Sequence, residues 1–350
     1  MSYARPKFCH PDLPPNALGF TRRDYEGALS TLCAGCGHDS ISNAIIQACY
    51  ELPLEPHRVV KMSGIGCSSK TPAYFLGRSH GFNAVHGRMP SIATGANMAN
   101  RDLVYLGVSG DGDTASIGMG QFAHVVRRNL NMVYIVMNNG CYGLTKGQDS
   151  ATADRGSTSK KGAPNPFESI DLCELAIQLG AGFVARGFSG DKNQLVPLLK
   201  AAISHKGFSL VDVISPCVTF NNTTASTKSY QYVRDHAEAT GTLDFIPLRQ
   251  EITTEYAEGS TQEVTLHDGS LIYLYKGESA RDITNRRSAI DSLEDHRVQG
   301  RILTGILCFQ EGVEDTHGMI GTSLRPLNGL QQEDLCPGNA ALQQLMEGYR

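Results

Sequence analysis

The sequence predicts an α/β fold: a doubly wound, mostly parallel sheet with a C-terminal extension. Three observations predict it. Leu103–Val108 and Met132–Met137 are apolar runs of strand length, and the segment between them, Gly118–Arg128, reads as a helix. That order is a βαβ unit. Each run is followed by turn residues, Gly110-Asp111-Gly112-Asp113 and Asn138-Asn139-Gly140-Cys141-Tyr142, at the strand ends where open α/β sheets bind ligands. The alternation then resumes with helix 171–179, strand 182–186, helix 192–205 and strand 208–214, which closes a doubly wound domain at about residues 31–215.

Composition bounds the function. The chain has 350 residues, 41% of them hydrophobic, enough for one large or two modest domains. A net charge of −4 gives no reason to expect a nucleic-acid partner. No apolar run approaches the roughly 20 residues that span a bilayer, and Met1-Ser2-Tyr3-Ala4-Arg5-Pro6 lacks a signal peptide's apolar stretch. A cytoplasmic protein with no membrane partner is expected. The ten cysteines are then ligands or free thiols rather than disulfides, and the sequons at Asn221 and Asn222 are inert.

Residues 1–30 are rich in proline and weakly periodic, and read as an arm lying on another surface, such as a partner's. Cys33-Ala34-Gly35-Cys36-Gly37-His38 precedes a helix at about 39–50. A Cys-x-x-Cys pair fits a redox couple, half a zinc site or half an iron–sulfur site. No strand pattern precedes Cys33, which argues against the thioredoxin-like setting of a redox pair. A metal site needs two more cysteines. Cys67, in Gly64-Ile65-Gly66-Cys67-Ser68-Ser69-Lys70, and Cys217, after Ser215-Pro216, each follow a strand pattern, Val59–Ser63 and Ser209–Ile214. Cys49 and Cys173 sit in helical patterns and read as core. The loop 64–71 resembles a Walker A loop only in part, because Ser69 stands at its second glycine position.

His86-Gly87-Arg88 precedes a stretch rich in small residues, 93–99, suited to close helix packing; His86 and Arg88 are candidates for a phosphate or a substrate carboxylate. Asp149–Pro166 is a long polar segment of the kind that is usually functional or mobile. Residues 216–280 change character and contain a β-hairpin pattern around His267-Asp268-Gly269-Ser270. Residues 281–350 read as a partly helical extension at a subunit interface.

Asp111 offers a carboxylate and Asn139 an amide oxygen, hard donors suited to Mg²⁺ on a phosphorylated ligand. Glycines beside them allow backbone amides to approach phosphate oxygens. Read blandly, the same residues are two turns capping two strands. The Gly-Asp-Gly and Asn-Asn pair resembles the thiamine diphosphate motif. That resemblance implies Mg²⁺ held by Asp111, Asn139 and the Cys141 carbonyl, in a domain of the thiamine-diphosphate-binding type. With Cys33-x-x-Cys36-Gly-His38, the Cys67 loop, His86-Gly87-Arg88 and Cys217, residues of about 30–235 resemble the β subunit of 2-oxoacid:ferredoxin oxidoreductases, most of all those acting on 2-oxoglutarate.

The resemblance implies one [4Fe–4S] cluster on Cys33, Cys36, Cys67 and Cys217. It implies a cofactor site formed by His38, Gly66, Ser68, Ser69, Gly110, Asp111, Gly112, Asp113, Asn139, Tyr142, Gly143, Leu144 and Thr145. It also implies oxidative decarboxylation of a 2-oxo acid with coenzyme A, electrons passing to ferredoxin, and a reaction reversible for carbon dioxide fixation. An α subunit would supply the activating glutamate in an αβ or α₂β₂ assembly. Lys70 is the expected contact to a distal substrate carboxylate, with Lys146 also near, and Leu144 is expected beside the thiazolium. These lysines favour 2-oxoglutarate. Pyruvate or branched 2-oxo acids are the alternative substrates. Two other classes compete: a non-oxidative thiamine lyase or decarboxylase, and a zinc-bearing structural protein, since four thiolates also suit Zn²⁺.

Overall fold

The computed structural model describes residues 13–157, 164–217, 252–266, 271–336 and 338–349. Strands are β1 (Val59–Ser63), β2 (His80–Asn83), β3 (Val104–Gly110), β4 (Met132–Asn138), β5 (Cys141–Tyr142), β6 (Gln148–Asp149), β7 (Phe183–Phe188), β8 (Phe208–Ile214), β9 (Thr261–Thr265), β10 (Leu271–Lys276) and β11 (Arg301–Phe309). The main helices are α1 (Gly37–Glu51), α2 (Met89–Ala99), α3 (Met119–Arg127), α4 (Leu172–Gln178), α5 (Lys192–Ser204) and α6 (Arg286–Val298). Among the described residues, nine strands form one sheet in the order β2-β1-β3-β4-β8-β7-β11-β10-β9; β5 and β6 form a separate two-stranded ladder.

The six strands from β2 to β7 in that order are parallel, as continuous apolar runs predict. Alternate residues of each central strand face opposite layers. On β4, Val133, Ile135 and Met137 pack with α1 and α5, whereas Met132, Tyr134 and Val136 pack with α2, α3, α4 and α6. Phe122, Tyr134 and Phe208 meet there as an aromatic cluster with centroids 5.6–6.2 Å apart. Cys49 and Cys173 are fully buried core residues, as their helical settings predict.

The sheet does not end at residue 215. Strand β7 would expose a long edge; β11 covers it antiparallel, and β10 and β9 extend the sheet further. Residues 286–309 thus belong to the central layers, with Ala289, Leu293, Leu303, Leu307 and Cys308 in the core. The β9–β10 hairpin forms as the alternation predicts; its turn, with His267 and Asp268, lies outside the described residues. The arm also departs from expectation from Asn16 onward. Tyr25 is fully buried and donates to the Leu54 carbonyl at 2.8 Å, so this stretch packs on the chain's own first helix. Cys9 and His10 lie outside the described residues. Among the described residues, no helix is long and apolar enough to cross a membrane.

Candidate active site

Strands β1, β3, β4 and β8 are adjacent and parallel, so their carboxyl ends open on one side of the sheet. From β1 the chain enters the turn Cys67–Ala73, from β3 it reaches Asp111 and the π-helical turn Gly112–Ile117, and from β4 it reaches Asn139. From β8 it passes Ser215 to Cys217. This is the switch point of the sheet, since β2 lies on one side of β1 and β3 on the other. One cleft there is lined by His38, Gly66, Cys67, Ser68, Gly110, Asp111, Gly112, Asp113, Asn139, Cys141, Tyr142 and Gly143.

Asp111 is buried. Its Oδ1 accepts from the Asn139 amide at 3.2 Å; its Oδ2 accepts from the Ser150 hydroxyl and from Thr152 Oγ1 at 2.8 Å. Burial raises the carboxyl's pKa, and these donors oppose the rise. Asn139 Oδ1 accepts from the Cys141 amide at 3.2 Å. Carboxylate, side-chain amide and backbone carbonyl oxygens are a donor set that fits Mg²⁺.

Asp113 has a different task. Its Oδ1 accepts from the Gly87 amide at 2.8 Å and its Oδ2 from Ser109 Oγ at 2.9 Å. It fixes the His86-Gly87-Arg88 loop to the end of β3. His38 is buried, and its Nδ1 lies 2.6 Å from Ser215 Oγ. Burial lowers its pKa to about 4, so the ring is neutral at pH 7. A side chain at Gly37 would strike Ser215 Oγ and Ser189 Oγ, each at 2.7 Å. Helix α1 therefore docks by its first turn against the end of β8.

At Gly112, which also lines the cleft, a side chain makes a close approach. The Tyr142 ring lies over it, and Tyr142 Oη donates to the Gly112 carbonyl at 3.0 Å. Ser68 Oγ is buried in the cleft with no hydrogen-bond partner among the described residues and would lie 3.3 Å from a Cβ at Gly110. A buried hydroxyl without a partner is unfavourable. An acceptor-rich diphosphate in the cleft would satisfy it, so the residues present fit that group.

The thiols gather beside the same cleft. Cys33 to Cys36 closes a turn in which the Cys36 amide donates to the Cys33 carbonyl at 3.1 Å, with Gly35 at φ +81° in the third position. Burial pushes the Cys36 thiol up to about 12, with Cys217 and Cys33 adding to the rise. Cys67 is raised by burial and then by Cys217 and Cys33. Cys36 and Cys67, each raised by burial and each within electrostatic reach of Cys33 and Cys217, resist ionisation until a cation neutralises them. Among the described residues, no three His, Cys, Asp or Glu side chains converge closely enough to hold a single metal ion.

Several predicted residues stand apart from the cleft lining. His86, Arg88, Lys70, Leu144, Thr145 and Lys146 are exposed. Ser69 Oγ closes its own turn onto the Gly66 carbonyl at 2.6 Å. Thr145 Oγ1 donates to Gln148 Oε1 at 2.6 Å.

The model of the C-terminal thiamine pyrophosphate binding domain of thiamine pyrophosphate enzymes matches residues 64–213. The β subunit of a Sulfolobus 2-oxoacid:ferredoxin oxidoreductase is 46% identical over 191 residues, 54% of this chain and 63% of the relative. The KorB subunit of 2-oxoglutarate synthase from Methanocaldococcus jannaschii is 40% identical over 208 residues, 58% of this chain and 74% of the relative. This chain belongs to the family of 2-oxoacid:ferredoxin oxidoreductase β subunits. It spans less than two thirds of the length of several family members, 63% of the Sulfolobus and 65% of the Saccharolobus solfataricus β subunit. Among solved structures, the 2-oxoglutarate:ferredoxin oxidoreductase from Magnetococcus marinus, with 2-oxoglutarate, coenzyme A and succinyl-CoA bound, superposes with a TM-score of 0.70 at 28% identity. That match covers 90% of this chain and 94% of the other.

Within this family member, the site also uses residues that sequence reasoning missed: Ser150, Thr152, Ser109, Ser215 and the side chain of Asn138. Ser150 and Thr152 belong to the aperiodic polar segment. Nothing in their spacing ties them to Asp111, some forty positions earlier in the chain.

Proposed function

We propose that this chain is the cofactor-bearing β subunit of a 2-oxoacid:ferredoxin oxidoreductase that converts 2-oxoglutarate and coenzyme A to succinyl-CoA and carbon dioxide. The observation that carries the reading is at Gly143. A Cβ there would lie 3.3 Å from Cys67 Sγ, 4.0 Å from Cys217 Sγ and 3.9 Å from Asn139 Nδ2. Two thiols from different strand ends and the side chain of a candidate Mg²⁺ ligand meet around one glycine. A non-oxidative thiamine enzyme has no use for thiols in that place, and a zinc protein has no use for the Asp111–Asn139 pair.

In this reading Asp111, Asn139 and the Cys141 carbonyl hold Mg²⁺, and the Ser68 hydroxyl binds the diphosphate. Cys33, Cys36, Cys67 and Cys217 hold one [4Fe–4S] cluster. When bound, thiamine diphosphate supplies the electron sink for decarboxylation and the cluster a one-electron path towards ferredoxin. His38, neutral and fixed by Ser215, keeps the first turn of α1 and hence Cys36 against the Cys217 strand end. Asp113 holds the loop from which His86 and Arg88 face solvent, available to an incoming acid or a partner subunit. An α subunit supplies the activating glutamate. Lys70, exposed one turn beyond Cys67, suits the distal carboxylate of 2-oxoglutarate, and relatives named as 2-oxoglutarate synthase subunits support that substrate over pyruvate.

The test is iron and sulfide analysis with electron paramagnetic resonance after dithionite, on anaerobic protein co-expressed with its α partner. The expected result is about four irons per αβ pair and a reduced-cluster signal lost in Cys217→Ser. Zinc in place of iron, or an unchanged signal in that variant, overturns the ligand set. Turnover of pyruvate equal to or above that of 2-oxoglutarate overturns the substrate.

A further inference from the structure

A row of side chains runs across the carboxyl ends of four adjacent strands and ends on Asp111. Asp171, at the N-terminus of α4, accepts from the Cys173 and Glu174 amides at 2.9 and 3.0 Å and from Arg186 Nη2 of β7 at 2.7 Å. Arg186 Nε donates to Asp212 Oδ2 of β8 at 3.0 Å. Asp212 Oδ1 accepts from Asn138 Nδ2 of β4 at 3.1 Å. Because the amide nitrogen of Asn138 faces Asp212, its oxygen faces the other way, 3.1 Å from Thr152 Oγ1. Thr152 Oγ1 in turn lies 2.8 Å from Asp111 Oδ2, beyond the end of β3. Arg186 and Asp212 are buried, so this end of the row is a rigid, desolvated anchor whose partners leave the Asn138 side chain one orientation.

Thr152 is the joint of this row. Its hydroxyl lies between the carboxylate of Asp111 and the side chain of Asn138, whose neighbour Asn139 is the second side-chain ligand of the proposed Mg²⁺ site. Ser150 also donates to Asp111 Oδ2, and its hydroxyl lies 2.9 Å from Thr152 Oγ1. Of the two hydroxyls on Asp111 Oδ2, that of Thr152 also reaches Asn138. We propose that Thr152 is a positioning residue for the metal–diphosphate site. Its one hydroxyl proton, shared between Asp111 Oδ2 and Asn138 Oδ1, fixes the spacing between the Asp111 carboxylate and the Asn138–Asn139 turn, and Asn138 links both to the Arg186–Asp212 ion pair. The inference rests on the thiamine diphosphate reading of the cleft. Hydrogen-bond partners of metal ligands typically change metal affinity about 10- to 100-fold when removed, because a free ligand must be ordered when the metal binds.

The test uses the αβ complex stripped of Mg²⁺ and thiamine diphosphate, titrated calorimetrically with Mg²⁺ at saturating thiamine diphosphate. Thr152→Val keeps the shape and removes the hydroxyl; Thr152→Ser keeps the hydroxyl and removes a methyl. Thr152 is only partly buried, and thermal melting of each stripped variant checks that it folds. Thr152→Val is expected to weaken Mg²⁺ binding about tenfold or more, with Thr152→Ser within about threefold of wild type. Wild-type affinity in Thr152→Val overturns the positioning role, as does a loss in Thr152→Ser as large as that in Thr152→Val, which would show that the hydroxyl is not what sets the affinity. Absence of binding by the wild-type complex is a separate outcome, and overturns the thiamine diphosphate reading itself.

Discussion

The packing of Tyr142 on Gly112 makes a quantitative prediction that needs no cofactor. A Cβ at Gly112 would lie 2.6 Å from Tyr142 Cε1, 2.7 Å from Cζ and 2.9 Å from Cδ1, where ordinary contact begins near 3.4 Å. The backbone at Gly112 lies outside the positive-φ region, so Gly112→Ala has no backbone penalty of that kind and acts through the ring. Overpacking of this degree costs about 1–3 kcal/mol. Displacing the ring also breaks the bond from Tyr142 Oη to the Gly112 carbonyl, about 0.5–1.5 kcal/mol. Gly112→Ala is therefore expected to destabilise the chain by about 1.5–4.5 kcal/mol. In a Tyr142→Ala background the obstacle is gone, and the same substitution should cost under about 1 kcal/mol. Urea unfolding of the four proteins measures the coupling, expected at about 1.5–3 kcal/mol, the upper range for residues in contact. Additive losses, with coupling below about 0.5 kcal/mol, would refute the claim that this glycine exists to seat the tyrosine.

Two further predictions follow from buried polar groups. Lys61, in the middle of β1, donates to the Phe75 and Leu76 carbonyls at 2.6 and 2.9 Å, and burial lowers its pKa from 10.5 to about 8. Between those values the unfolded chain holds a proton that the folded chain has shed. The lysine's contribution to stability therefore rises with pH there, with a limiting slope of about 1.4 kcal/mol per pH unit. Stability of wild type minus that of Lys61→Met, followed by urea unfolding from pH 7.5 to 10.5, should climb with pH; a flat or falling difference contradicts the assignment. Ser68→Ala removes a buried hydroxyl that lacks a partner among the described residues, so the stripped protein should match wild type in stability or exceed it by up to about 1 kcal/mol. Affinity for thiamine diphosphate should fall in the same variant, by about five- to tenfold for one lost hydrogen bond. A clear loss of stability with unchanged affinity would show that Ser68 serves packing.

The sequence by itself determined the parallel core and the turns that line the candidate cleft. Mostly apolar runs such as Val59–Ser63 and Phe208–Ile214 coincide with β1 and β8 residue for residue, because strands buried on both faces are largely apolar, and the charged residues within them, Lys61 and Asp212, are hydrogen-bonded. The turns at Gly110–Asp113 and Asn138–Tyr142 marked the cleft because both close strands of one βαβ unit. What lay beyond local pattern was decided by the tertiary structure. Residues 301–309 carry no signal that they will cover the edge of β7, since pairing partners are chosen by which edge is left exposed. The arm at Asn16–Tyr25 packs on its own first helix because Tyr25 finds a buried site there. Gly112 was legible as a small residue, but only the fold shows that its space is taken by a tyrosine ring. The meeting of Cys67, Cys217 and Asn139 around Gly143, and of Thr152 with Asp111 and Asn138, joins residues far apart in the chain. Their neighbourhood is set by the strand order β1-β3-β4-β8, which fixes distances that no spacing along the chain encodes.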